Sequence, residues 1–65
     1  MQYEVIIEDM FVPGTIRSIW TEGTNALEAH KQVMFSELSD SEEIIEIRDD
    51  EGHVVYGDLG FVNPF

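Results

Sequence analysis

Residues 3 to 8 alternate in character. Tyr3, Val5 and Ile7 fall on one side of an extended chain and Glu4, Ile6 and Glu8 on the other, the period-2 pattern of a half-buried strand. This first strand is predicted from Gln2 to about Met10. Pro13-Gly14 follows, a pair suited to a turn because proline supplies a fixed φ and glycine a positive one. The β-rich run Thr15 to Thr21 then returns, completing a hairpin. Gly23-Thr24 breaks the strand, and Asn25 with Glu28 three residues on resembles a capping box ahead of the helix formers Ala26, Leu27 and Ala29. The helix is predicted to run to about Phe35. At about 100° per residue, Ala26, Leu27, His30, Val33 and Met34 share one face, and Phe35 points nearly opposite. Beyond the polar connection Leu38 to Ser41, the runs Glu42–Arg48 and His53–Tyr56 form two more strands around Asp49-Asp50-Glu51-Gly52.

The order is therefore ββαββ. It predicts an α+β fold of two layers, an antiparallel sheet with one helix packed on one face. A chain of 65 residues buries only about 60% of the surface that its unfolded form exposes, so a single domain over residues 1–65 with modest stability is expected. The end of the chain, residues 57–65, is apolar but interrupted by glycine and proline, and is expected to be an irregular tail that covers a sheet edge or reaches for a partner. There is no cysteine, and no apolar run approaches the roughly 20 residues of a membrane span. A cytoplasmic location is the expectation.

Charge narrows the choice of partner. The formal net charge is −11, with only Arg17, Lys31 and Arg48 opposing fourteen acidic residues. Nucleic acids and anionic membranes are bound through clustered Lys and Arg, so neither is an expected direct partner, and a basic protein surface is. Glu37, Asp40, Glu42, Glu43, Glu46, Asp49, Asp50 and Glu51 concentrate the negative charge in one stretch, interrupted only by Arg48. Under strict alternation Glu42, Glu46 and Arg48 share one side of the strand, and Glu43, Ile45 and Ile47 the other. This stretch is the expected partner-binding strip. Solubility and protection of the sheet edge are its simpler explanation, but a small domain needs a net charge of only about 2 to 8 for solubility.

Other chemistry is thin. Asp49-Asp50-Glu51-Gly52-His53 groups oxygen and imidazole ligands, but the alternate spacing of a twelve-residue calcium loop is missing, so a solvated turn is expected and no metal. His30, His53 and several serines are present without a nucleophile-elbow sequence or a glycine-rich oxyanion loop, and His30 is expected to be a core-edge residue. No phosphate-binding glycine motif occurs, and no cofactor is expected. The closing Asn63-Pro64-Phe65 is expected to pack. Ile6, Ile19, Phe35 and Val55 remain after the core is filled: Ile6, Ile19 and Val55 are assigned to the sheet face away from the helix, where with Glu4, Glu8 and Arg17 they make a mixed apolar patch suited to a protein interface or a homodimer.

The stretch from Ile19 to Arg48 resembles the small RNA-polymerase-inhibitor proteins of bacteriophage T7 and similar acidic phage-encoded host-takeover proteins. The strand, strand, helix, strand order carries the likeness, with the junction Trp20-Thr21-Glu22 leading to Ala26-Leu27-Glu28 and the strand Glu43-Ile44-Ile45-Glu46-Ile47-Arg48. The resemblance implies a non-enzymatic inhibitor that docks on bacterial RNA polymerase through strand arginines and an acidic strip. Arg48 matches the second of the two family arginines, while Glu46 stands in place of the first. The expectation is thus a binding protein acting on a basic surface of a host protein, possible targets being RNA polymerase or another nucleic-acid-binding protein. Two alternatives are a DNA mimic that inhibits a nuclease, restriction or CRISPR protein, and a homodimeric assembly module.

Overall fold

The computed structural model describes residues 1–62. In chain order it contains β1 (Gln2–Asp9), β2 (Ile16–Glu22), α1 (Ala26–Ser36), β3 (Glu42–Arg48), β4 (Val54–Gly57) and β5 (Gly60–Phe61). The strands form one antiparallel sheet in the spatial order β2-β1-β3-β4-β5, and α1 packs on one face of it. The α+β, two-layer arrangement expected from the alternation is present. The tail covers a sheet edge, one of the two expected roles, but in regular form: it turns back at Asp58-Leu59, and Gly60–Phe61 pairs with Tyr56 and Gly57 as a short fifth strand along the β4 edge. Asn63-Pro64-Phe65 lies outside the described residues.

Tyr3, Val5 and Ile7 are buried together with Ala26, Ala29 and Val33 from the helix and Ile44 and Ile47 from β3. A buried Val or Ile side chain contributes about 1.5–3 kcal/mol, so these few groups hold the fold together. The helix is rotated from the expected face. Ala29 belongs to the core, whereas Met34 is 43% exposed. The stripe Ala26, Ala29, Val33 is the narrowest on the helix and lets the backbone come close to the sheet. As expected, Phe35 points away, at 81% exposed.

Local chemistry sets the element boundaries. The Thr15 N–H donates to the Val12 carbonyl at 3.1 Å, and Gly14 lies at φ +92°, so Val12-Pro13-Gly14-Thr15 has the type II pattern that requires glycine at its third position. In the second hairpin Gly52 adopts φ +87°, and the Asp49 side chain accepts from the Glu51 and His53 backbone N–H groups at 2.9 and 2.8 Å. At the helix start the Glu28 N–H donates to Asn25 Oδ1 at 2.9 Å. The Glu28 carboxylate then reaches back to the Thr24 N–H and hydroxyl, one residue earlier than a standard capping box. Asn25→Ala should therefore lower unfolding stability by about 1 kcal/mol, read from the urea midpoint with unchanged slope.

On β3 the alternation fails. Val5 pairs with Ile47 and Ile6 with Glu46, but Ile7 pairs with Ile44, so Ile45 is an extra residue in a β-bulge. The bulge brings both Ile44 and Ile47 under the helix. It also corrects the expected sides: Glu43, Glu46 and Arg48 face away from the helix, and Glu42 lies on the helix side.

Candidate functional site

The sheet face not covered by α1 follows from the register. Across β2, β1 and β3 its side chains form three rows: Trp20, Glu4, Arg48; Ser18, Ile6, Glu46; and Ile16, Glu8, Glu43. Val54, paired with Arg48, extends the first row onto β4. Trp20 is 58% exposed and Ile16 56% exposed on this face, while Ile6 is half-buried between the strands beside it. With Glu22, two residues along β2 from Trp20, an indole thus stands in the open among six strand charges, five of them carboxylates. Arg48 donates from Nε to Glu46 and sits directly across from Glu4, so its charge is spent within the face.

The expected apolar patch is only partly on this face. Ile6 is there. Ile19 is not: it pairs with Val5, shares its side of the sheet and packs against the buried core beneath the helix. Val55 also packs against the core, because β4 pairs Arg48 with Val54 and Ile47 with Tyr56, a second bulge that leaves Val55 out of step. Phe35 lies on the far side of the helix. Trp20 and Ile16, neither among the expected patch residues, are the exposed apolar members. Their signal was the pairing itself: if Val5 and Ile19 share a side, Trp20 belongs to the other.

The acidic stretch is contiguous along the chain but not in space. Six residue steps of about 3.3 Å separate Glu42 from Arg48, so β3 spreads the charges over about 20 Å. Glu37, Asp40, Glu42 and Glu43 lie at the end where the helix finishes, and Asp49, Asp50 and Glu51 form the turn at the other end, with Glu46 between them on the open face. Glu37, Asp40, Glu43, Asp50 and Glu51 are exposed to solvent.

Three of the acids are engaged by the fold. Glu42 receives Nε and Nη2 of Arg17 at 2.7 and 2.9 Å and the Ser39 N–H at 3.1 Å, while Arg17 Nη2 also donates to the Glu37 carbonyl at the helix end. The Arg17 guanidinium, with the Ser39 N–H, lowers the Glu42 carboxyl from its ordinary 4.5 to about 2. Asp49 is lowered by the backbone N–H groups of His53 and Glu51 that its side chain accepts. Glu46 is held by Arg48. A depressed carboxylate stabilises the fold above its unfolded value and loses that contribution as pH falls through the folded one. Stability should therefore decline between about pH 4.5 and 2, and Glu42→Gln should flatten this decline in urea titrations taken across that range. A decline of equal depth in the variant would exclude Glu42 as its source.

On the helix side His30, Tyr56 and Phe61 form an aromatic cluster, with ring centroids 4.7 to 5.6 Å apart. Burial pushes the His30 imidazole below its usual value, so it is neutral at physiological pH. Met34, Leu38, Ile44 and Tyr56 line a shallow groove beside it, with Glu42 and Glu43 at the rim. His53 faces Asp49 across the turn at 3.4 Å. Among the described residues neither histidine hydrogen-bonds to a serine, and no three His, Asp or Glu side chains converge as a metal site needs. No described helix is long and apolar enough to cross a membrane. No protein-family model matches the chain, and no curated protein or solved structure is significantly similar to it.

Proposed function

We propose that the protein is a non-enzymatic binding protein whose open sheet face docks on a basic patch of a partner protein. The reading rests on Trp20, an indole 58% exposed on a regular strand and set beside Glu4, in a chain of net charge −11. Interfaces draw most of their energy from a few buried aromatic or arginine anchors, while the surrounding charges set partner choice and association rate. Trp20 with Ile6 and Ile16 supplies the apolar centre, and Glu4, Glu8, Glu43 and Glu46 supply the selecting charge. The exposed acids at the two ends of β3, Glu37, Asp40, Asp50 and Glu51, extend the field.

The partner class is a basic host protein surface, and the likeness to phage inhibitors makes bacterial RNA polymerase the first to test. Carboxylates interleaved with a tryptophan and two isoleucines do not imitate two even rows of phosphates, which weakens the DNA-mimic reading. Stacking two copies through this face would oppose carboxylates to carboxylates. The test is calorimetric titration against RNA polymerase and against proteins captured from a bacterial lysate, at low and high salt. Affinity should fall at least tenfold as salt rises and exposed charges are screened. An affinity indifferent to salt for every captured partner rejects the electrostatic account.

A further inference from the structure

We infer that the outer edge of β2 pairs with the β2 edge of a second copy, joining two sheets side by side; this goes beyond the proposed docking and does not depend on it. β2 ends the sheet, is seven residues long and pairs with β1 without a bulge. Its sequence contains no proline or lysine, two of the usual means by which exposed edges avoid pairing. Arg17, its charge on the helix side, is drawn across β1 to Glu42 and so does not guard the edge.

The backbone decides which groups are free. The Gly23 N–H donates to the Met1 carbonyl and the Asp9 N–H to the Thr15 carbonyl, so the odd residues of β2 direct their backbone groups at β1. Ile16, Ser18, Trp20 and Glu22 then direct theirs outward. An antiparallel copy centred on Ile19 sets Ser18 against Trp20 of the other copy and Ile16 against Glu22, and every outward N–H and carbonyl finds a partner in that register. The side chains fit it as well: the small Ser18 lies opposite the large Trp20 on the open face, and Ile19 meets Ile19 on the helix side.

Charge and space both allow the approach. β2 carries one Arg and one Glu, which cancel, so a second copy meets no net charge along this strand. Three strand spacings of about 4.8 Å separate the two β1 strands, on which the helices lie, by about 14 Å. That exceeds the 8–10 Å of packed helices, so the two helices do not collide. The seam is small beside the roughly 1,200 Å² of standard interfaces, so the dimer is weak and concentration-dependent.

The test is sedimentation equilibrium of the full chain from micromolar to millimolar concentration, alongside Ser18→Pro. Proline there removes an outward N–H and no β1 bond, and edge strands accept it. The expected result is a rise in mass towards twice 7.4 kDa for the native chain, and at least a tenfold weaker association for the variant with its circular dichroism retained. Should the variant fail to fold, amide exchange on the native chain decides: Ser18 and Trp20 should exchange more slowly as concentration rises, with Arg17 and Ile19 unchanged. A monomer throughout, or a dimer with Ser18 and Trp20 amides unprotected, overturns the inference.

Discussion

Ile7→Ala should remove most of the stability of the fold. Ile7 is fully buried in β1, between β2 and β3 and beneath the helix. Truncating a buried isoleucine to alanine costs about 2–5 kcal/mol, and a domain of this size draws only about 3–5 kcal/mol from its core. With about 4–8 °C of melting temperature per kcal/mol in small domains, a fall of at least about 8 °C is expected by circular dichroism. Ile6→Ala is the matched control, one residue away on the open face, where a loss below about 1 kcal/mol is expected. Equal losses at the two positions would contradict the assignment of faces on which the docking surface depends.

Trp20→Ala should do the reverse, sparing the fold and abolishing the interaction. Its exposed indole is not part of the buried core, so melting should shift by no more than about 0.5 kcal/mol equivalent. Binding to the partner found by titration should weaken by about 2 kcal/mol or more, roughly 30-fold, as for an aromatic anchor at the centre of an interface. Phe35→Ala is the control, because Phe35 is more exposed but lies on the far side of the helix. If Phe35→Ala carried the loss and Trp20→Ala did not, the docking surface would lie on the helix layer.

Much of this fold is legible in the residues because its signals are local. The 3, 5, 7 alternation of β1, the Pro13-Gly14 turn, the Asp49 to Gly52 hairpin and the Asn25 cap each depend on neighbours within a few positions, and each is observed. The rest depends on pairing between strands. In β2, Ile16 and Trp20 on one side and Ile19 on the other make either face look apolar, so only the partner Val5 settles which is buried. In β3 the adjacent Ile44 and Ile45 hide the bulge, so strict alternation keeps Glu46 with Arg48 but puts Glu42 and Glu43 on the wrong sides. The helix rotation followed the size of the contact surface: Ala29 counts for little on a hydrophobicity scale, yet its smallness is what brings the helix close. The charged stretch was found as a run, but its division between two ends of the molecule required knowing that β3 spans the sheet.

The bulge on β3 also bears on how the length of this chain can vary. Ile44 and Ile45 are the same residue, and one of them is surplus to the pairing with β1. Reducing the pair to a single isoleucine leaves Glu43, Glu46 and Arg48 on the open face and both remaining isoleucines beneath the helix, in uninterrupted alternation. The strand thus carries a spare codon, a place where the gene can lose three nucleotides without turning any other side chain over, at the cost only of the extra local twist that a bulge imparts.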